Sequence, residues 1–466
     1  MNINGQEAGT AAMKRRRILM FLLCIFLIFA LIPDSGKAAA SSEKRAVWVS
    51  FGDFYYLGLK NKSKASFTAN SDKFLKKAAY NGINTVFFHA RAFDDATFSS
   101  SVFRASKYIT SSASSAPSRT TFAAMGYDPL KTFTKEAHKY GIKVEAWINP
   151  YRITYDVFYD PSDPNVTGRI KKCVAEVMAC GVDGIHFDDY FYHAKKGYRK
   201  VGESGYHKVS ITAANKRTYV NRMLKSVYPY LKSLNSSAVL GISPQGYINN
   251  SMACGADVKG WLAASPSAPV DYVMPQLYWT DKYYSSWTGS YIRLFSRRVK
   301  EWKAIKKNNV KLCAGLALYR AGIKYRDDKG WAAKISNLKS QIIILRSSGF
   351  SGYAFFSSRD LYKSGAKASE LKNARSILNA VYATSIKTNV KSKTIYKGKR
   401  YRLSVTWKPA GTNQRKVKFK TSNKRIATVS SKGTITAKKP GKARITVTSS
   451  NGKKATVRIK VRKFRR

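Results

Sequence analysis

Eight apolar runs, each of strand length and separated by stretches of helical periodicity, constrain the fold of this chain more than any other feature. They are Arg45 to Phe51, Ile83 to Arg91, Val144 to Pro150, Val182 to Tyr190, Val239 to Gly246, Tyr272 to Trp279, Leu312 to Tyr319 and Gly352 to Ser358. Between them lie amphipathic patterns such as SDKFLKKAAYNG, LKTFTKEAHKYG and RIKKCVAEVMACG. Several close on a glycine just before the next run: Gly82, Gly141, Gly181 and Gly349. Glycine there supplies the left-handed residue that ends a helix and turns the chain back into a sheet. The alternation predicts an α/β fold, a (β/α)8 TIM barrel over residues 41–383. An open doubly wound sheet fits less well, because no Gly-rich phosphate loop follows the first run. From Thr384 to Arg466 short runs rich in Val, Ile and Thr alternate with turn pairs such as Pro440-Gly441 and Asn451-Gly452. That texture predicts a small all-β Ig-like sandwich.

Residues 1–40 belong to neither part. Lys14-Arg15-Arg16-Arg17, the apolar run Ile18 to Ile32 and Ala38-Ala39-Ala40 follow the order of a secretory signal peptide. The run is short for a membrane span, so export is expected, with membrane contact only through this segment. Cys173, Cys180, Cys254 and Cys313 are scattered, without CxxC spacing or companion histidines, and read as buried free thiols. No metal or cofactor is expected. The net charge of +58 is concentrated at one end: no Asp or Glu follows Glu370. For an exported chain the partners of such a domain are anionic cell-wall polymers rather than nucleic acid.

The chemistry is expected around Val182 to Tyr192, VDGIHFDDYFY. Alternation puts Ile185 and Phe187 on one face and Gly184, His186 and Asp188 on the other, with Asp189 and Tyr190 where the strand runs out. A barrel carries its active site at the C-terminal ends of its strands. The competing reading, two aspartates capping a helix, lacks a clean helical pattern after the pair. The same alternation selects candidates on the other strands. The second offers His89 and Arg91, with Asp94 and Asp95 beyond; the third offers Glu145, Trp147 and Asn149, with Tyr151 and Arg152 beyond. Later strands add Ser243, Gln245, Gln276, Tyr278, Trp279 and Tyr319.

Acids, amides and aromatics converging on one rim suit a polysaccharide: rings stack on sugar faces, and amides and carboxylates bind hydroxyls. The seventh and eighth strands end in YRAG and SSRD, with no carboxylate at the strand end. The acid density is therefore richest at Asp188–Asp189, the catalytic candidates. Neighbouring carboxylates push their pKa values apart, which suits substrate-assisted hydrolysis of N-acetyl sugars, where no protein nucleophile is needed. Asp188 would orient the acetamido group and Asp189 would protonate the leaving oxygen. HExxH and GxSxG are both absent, which disfavours metallohydrolase and serine-hydrolase chemistry.

RAVWVSF, GINTVFFHARAFDDATFSS, GYDPLKTFTKEAHKYGIKVEAWINPYR, VDGIHFDDYFY, GISPQG and DYVMPQLYW together resemble, in that order, the bacterial glycosyl-hydrolase-like family ten. The resemblance covers Arg45 to Trp279 and fades beyond. It implies a (β/α)8 barrel and cleavage of cell-wall glycan strands. It also implies that Asp188 and Asp189 fall on the acidic motif, and Asn149, Arg152, Gln276, Tyr278 and Trp279 on the rim motifs. His89 stands where that family would have Gln, and Gln245 where it would have an aromatic. The C-terminal segment, through WKPAG and KTSNKRIATVSSKGTITAKKPGKARITV, resembles a bacterial Ig-like group two domain. The expected function is an exported, wall-associated glycoside hydrolase. Two alternatives stay open: a non-catalytic glycan-binding surface protein, and a two-carboxylate endo-glycosidase using Glu145 or Asp95 as the second acid.

Overall fold

A computed structural model describes residues 43–111, 116–189, 191, 196–333 and 335–463. Residues 1–42, with the segment that reads as a signal peptide, and Tyr190 lie outside the described residues. Eight parallel strands close into a barrel in chain order. They are β1 (Lys44–Val49), β2 (Thr85–Arg91), β3 (Lys143–Ile148), β4 (Gly184–Phe187), β5 (Val239–Ile242), β6 (Tyr272–Val273), β7 (Lys311–Leu316) and β8 (Gly352–Phe355). Helices α1 (Lys64–Tyr80), α2 (Pro129–Lys139), α3 (Pro164–Met178), α4 (Ala213–Leu234), α5 (Leu294–Ile305), α6 (Asn337–Ser348) and α7 (Gly365–Arg375) surround it. Two short helices, Ile248–Ala253 and Val258–Trp261, fill the β5–β6 connection.

The helices begin where side-chain chemistry tells them to. Asp128 and Asp163 each accept a hydrogen bond from a backbone N–H of the first turn, and each is followed by Pro at the first helical position. Gly82, Gly141, Gly181 and Gly349 all adopt the left-handed conformation expected of them, with φ between 64° and 83°. Apolar faces then pack inward: Phe133 of α2 meets Phe88 of β2 at 4.6 Å between ring centroids.

Side chains fill two concentric layers. The outer one lies between helices and strands; the inner one fills the barrel with Ala46, Trp48, Phe87, Trp147, Tyr272, Met274, Cys313 and Ala354. Large rings are accommodated by missing side chains on neighbouring strands. A Cβ on Gly241 would lie 1.8 Å from the Tyr272 ring, its register partner on β6. Among the described residues the four cysteines are unbridged, with Cys173, Cys180 and Cys313 buried.

Beyond α7 the chain forms a sandwich of β9 (Ser385–Thr388), β10 (Ser392–Tyr396), β11 (Arg400–Arg402), β12 (Val405–Lys408), β13 (Val417–Thr421), β14 (Ala427–Val429), β15 (Thr434–Ala437), β16 (Gly441–Ser449) and β17 (Lys454–Arg462). Its main sheet runs β10-β17-β16-β13, facing a smaller one of β11-β15-β14. Ile395, Leu403, Ile435, Ile445, Val457 and Ile459 form the core between them.

Candidate active site

The barrel interior is polar at three depths, and depth decides which inward residues can meet a substrate. At the N-terminal end, Lys44 of β1 pairs with the Glu145 carboxylate of β3. Tyr272 of β6 donates to the other oxygen of Glu145 at 2.5 Å. Glu145 is fully buried. Inward it is, as alternation required, but the structure holds it in an internal ion pair at the end opposite the mouth and does not bring it to the rim.

His186 of β4 occupies the middle. Its Nδ1 lies 2.6 Å from the Tyr272 hydroxyl, and its Nε2 is 3.1 Å from the Trp48 indole nitrogen and 3.0 Å from Ser243 Oγ. Trp48 can only donate, so Nε2 accepts and the ring proton sits on Nδ1. The hydrogen-bond chain thus runs from Trp48 through His186 and Tyr272 to the Glu145 carboxylate, which accepts at its end. Burial, reinforced by Lys44, pushes the His186 pKa well down. His186 is a structural group beneath the site.

The next layer reaches the mouth. His89 of β2 stacks on Trp147 of β3 at 3.6 Å between centroids and 11° between planes. Trp147 Nε1 donates to Asn149 Oδ1 at 3.2 Å, and Asn149 Nδ2 donates to the Ala92 carbonyl at 3.1 Å. The Phe51 backbone N–H donates to His89 Nδ1 at 3.4 Å. The His89 proton is therefore on Nε2, which finds no hydrogen-bond partner among the described residues. Burial, then the Arg152 charge, holds the His89 pKa well below its ordinary value.

Arg91 departs from expectation. The β2–β3 register shifts between His89 and Arg91, a bulge that adds one residue and reverses the facing of the next. Arg91 consequently points outward, beside Phe103, Arg169 and Cys173 against α3. There it and Arg169 bind Asp94, 3.2 and 2.9 Å away. Burial alone would raise the Asp94 carboxyl; the two guanidiniums and the Tyr159 hydroxyl hold it below the usual range instead.

At the rim, Asp188 follows β4 directly and is buried, while Asp189 is half-buried. Gln276, beyond β6, donates its amide to Asp189 Oδ1 at 3.1 Å and to the Ser243 carbonyl at 3.0 Å. Bridges from Gln245 to Gln276 and from Gln276 to Gly315 continue the sheet there, so Gln276 is held by backbone on both sides. Tyr278 lies over Gly315, where an added Cβ would sit 3.3 Å from its ring. Burial, then Tyr319, Asp189 and Asp188, push the Tyr278 hydroxyl well above its ordinary pKa. It therefore keeps its proton. Tyr319 and Phe356 stand edge-on at 5.9 Å, each about 6 Å from Tyr278. Trp279 packs on Gly246 and meets Tyr247 at 4.7 Å, with Gln245 nearby on the same connection.

Asp95 lines a side cleft of about 190 Å³ with Phe93, Tyr108, Ile153 and Tyr155. The Arg152 guanidinium covers Phe93 at 4.5 Å and Tyr155 at 5.0 Å. Burial raises the Asp95 carboxyl, against hydrogen bonds from Ser106 and the Phe93 backbone. Phe51 joins this cleft to the mouth, 4.6 Å from Tyr108 and 5.5 Å from His89. Phe51, Phe93, Tyr108, Tyr155 and Phe356 are thus parts of the surroundings that the sequence reading passed over. Phe51 and Phe356 carried a signal, since each stands just past a strand end, although neither offers a polar group.

Residues 151–333 match the family glycosyl hydrolase-like 10, and 382–459 match the bacterial Ig-like domain (group 2). The first match runs past Trp279, where the motif resemblance was expected to fade. The glycosyl hydrolase DigH of Escherichia coli K12 is 28% identical over 315 residues, 56% of this chain and 68% of that protein. The glycosyl hydrolase YngK of Bacillus subtilis 168 is 24% identical over 325 residues, 57% of this chain and 60% of that one. Among solved structures, an α-L-fucosidase of Paenibacillus thiaminolyticus is similar at a TM-score of 0.45 and 10% identity, over 76% of this chain and 52% of that one. A closed (β/α)8 barrel that matches the glycosyl hydrolase-like 10 model over residues 151–333, followed by a match to the group 2 bacterial Ig-like domain, and its similarity to curated glycosyl hydrolases make the chain a glycoside hydrolase.

Proposed function

We infer that the barrel hydrolyses N-acetylated glycan strands of the bacterial cell wall, outside the cell, with the substrate's acetamido group as the internal nucleophile. The observation that carries this reading is the placement of Asp188 and Asp189 at the end of β4, with Asp189 clamped by Gln276. Two carboxylates on consecutive residues are poorly placed to work from opposite faces of a glycosidic bond, as a nucleophile and an acid must. They are well placed to act on one side. Asp188, the more buried, would hold the acetamido N–H while the carbonyl oxygen attacks C1. Asp189, the more exposed, would give its proton to the leaving oxygen and recover one from the water that opens the cyclic intermediate. Tyr278 would donate to the same groups. The aromatic surroundings supply faces for sugar rings, and the N-terminal export pattern and basic sandwich favour a wall-bound location and anionic wall polymers as partners.

A two-carboxylate mechanism would draw on Asp95 rather than Glu145, because Asp95 lines an open cleft and Glu145 is committed to Lys44. Purified glycan strands, with and without stem peptides, are to be digested by wild type, Asp188→Asn, Asp189→Asn and Asp95→Asn, with mass analysis of released sugars. Loss of release in both pair variants, and no cleavage of a matched polymer lacking 2-acetamido groups, is expected. Near wild-type turnover in both pair variants would sink the assignment. Cleavage of the non-acetylated polymer, lost in Asp95→Asn, would move the mechanism to two carboxylates.

A further inference from the structure

The sandwich carries its charge in a pattern that its fold does not require. No acidic side chain follows Glu370, so its cations have no carboxylate of their own domain to pair with. In the sheet β10-β17-β16-β13, Ile395, Val457, Ile459 and Ile445 point into the core, which sends the alternate residues outward. Register then fixes who stands beside whom. Arg458 lies directly opposite Arg444, and Lys460 opposite Lys442. On the other side of β17, Ser392 adjoins Arg458 and Thr394 adjoins Lys460. Two rows result, Ser392–Arg458–Arg444 and Thr394–Lys460–Lys442, flanking a shallow depression of about 860 Å³. Ser422 extends the first row, its hydroxyl accepting from the Arg444 backbone N–H at 2.9 Å.

Like charges directly opposite one another destabilise a sheet, and here they stand opposite twice in succession. Solubility would be served as well by dispersed cations. Along β17 the cations recur every ~7 Å, and across the sheet the rows step by ~5 Å. Guanidinium and ammonium groups beside hydroxyls are the donor set that binds phosphate oxygens. The two rows hold no aromatic side chain on which a nucleobase could stack; Tyr396 stands one position beyond them. We propose that this outer face binds a linear phosphodiester polymer of the cell wall, laid along the strands with successive phosphates on the two rows. The face itself follows from the register; the choice of a wall polymer rests on the exported, wall-facing reading above.

The test is titration of the full chain with soluble poly(glycerol phosphate) at several salt concentrations. The variants are Arg444→Gln/Arg458→Gln, Lys442→Gln/Lys460→Gln and, as a control for net charge, Lys64→Gln/Lys73→Gln on exposed positions of α1. Each row variant is expected to weaken binding at least 10-fold. The slope of log affinity against log salt should fall by about 1.4, the value for two phosphate contacts on a single-stranded polyanion. Melting temperature should stay level or rise in both row variants, since facing like charges are removed. Binding unchanged in both row variants, or weakened equally in the control, would overturn the proposal. So would tighter binding of single-stranded DNA of equal charge. Hydrolysis is not read in this experiment, so failure of the catalytic reading leaves its outcome intact.

Discussion

His186 accepts from Trp48 on one nitrogen and serves Tyr272 with the other, and His89 accepts from the Phe51 backbone. A second ring proton would set donor against donor in both, so burial and hydrogen bonding agree in keeping them neutral. The consequence for stability has a definite sign. An unfolded histidine takes up its proton near pH 6.5, whereas these folded ones do so well below. Between those values the unfolded chain holds more protons, so stability is lost as pH falls below about 6.5, at up to ~1.4 kcal/mol per pH unit for each histidine. Above that pH they contribute no slope. Urea unfolding at pH 7.5, 6 and 5 should show the loss, and His89→Gln should remove one histidine's share between pH 6 and 5. An unchanged slope would mean that His89 is already protonated in the fold. Glu145 separates structure from catalysis in the same way. Glu145→Gln leaves the Lys44 ammonium without its partner inside the barrel and should cost about 3–5 kcal/mol. Asp189→Asn should instead leave stability within ~1 kcal/mol while abolishing turnover. Full stability with lost activity in Glu145→Gln would make Glu145 a catalytic group.

At the scale of elements, the barrel depends on matching large residues to empty positions. Gly241 on β5 faces Tyr272 on β6 so closely that any Cβ would overlap the ring. Gly241→Ala should therefore destabilise by several kcal/mol through overpacking, read as insoluble expression or a collapsed melting temperature; a soluble variant with wild-type melting would refute the tight fit. The same matching explains what could be read in advance. Strands buried on both faces are written as apolar runs, so all eight were legible, as were the helix-ending glycines and the carboxylate pair at the end of β4. Alternation says whether a residue points inward but not how deep it sits. Depth depends on the stagger of neighbouring strands, here Glu145 against Gly184 and His186 against Gly241. That is why Glu145 and His186 looked like rim groups and prove to lie below it. One inserted residue at Ala90 reverses the sense of Arg91, and no local pattern announces it. Strand β6 is only Tyr272–Val273, because the chain then continues through Pro275 by single bridges rather than a ladder. The side cleft escaped notice because its walls come from two separate loops, after β2 and after β3.

For the whole molecule, the question is what the sandwich adds to a barrel that already holds the chemistry. It is seated on the barrel rather than merely strung after it. Asn451 donates to Ser347 Oγ at the end of α6 and to the Ala383 carbonyl, and Asn413 accepts from the Val381 N–H and donates to the Asn379 carbonyl. Lys453 is close enough to the barrel that burial and the Lys303 charge lower its pKa. A cationic face held in this way would concentrate the barrel on an anionic, insoluble substrate without touching the bond being cut. Electrostatic retention is screened: the Debye length falls from about 8 Å at physiological ionic strength to about 3 Å at 1 M. The buried, hydrogen-bonded carboxylate rim is screened far less. Raising salt from 0.15 to 1 M should therefore slow hydrolysis of intact walls several-fold while changing turnover of short soluble N-acetylated oligosaccharides by less than about twofold. Parallel rate measurements on the two substrates, with the row variants included, separate the contributions. If wall hydrolysis is indifferent to salt, the sandwich does not work through charge. If both substrates slow together, salt acts on the barrel. Only the split outcome, with the row variants already slow on walls at low salt, assigns retention to the sandwich and cleavage to the barrel.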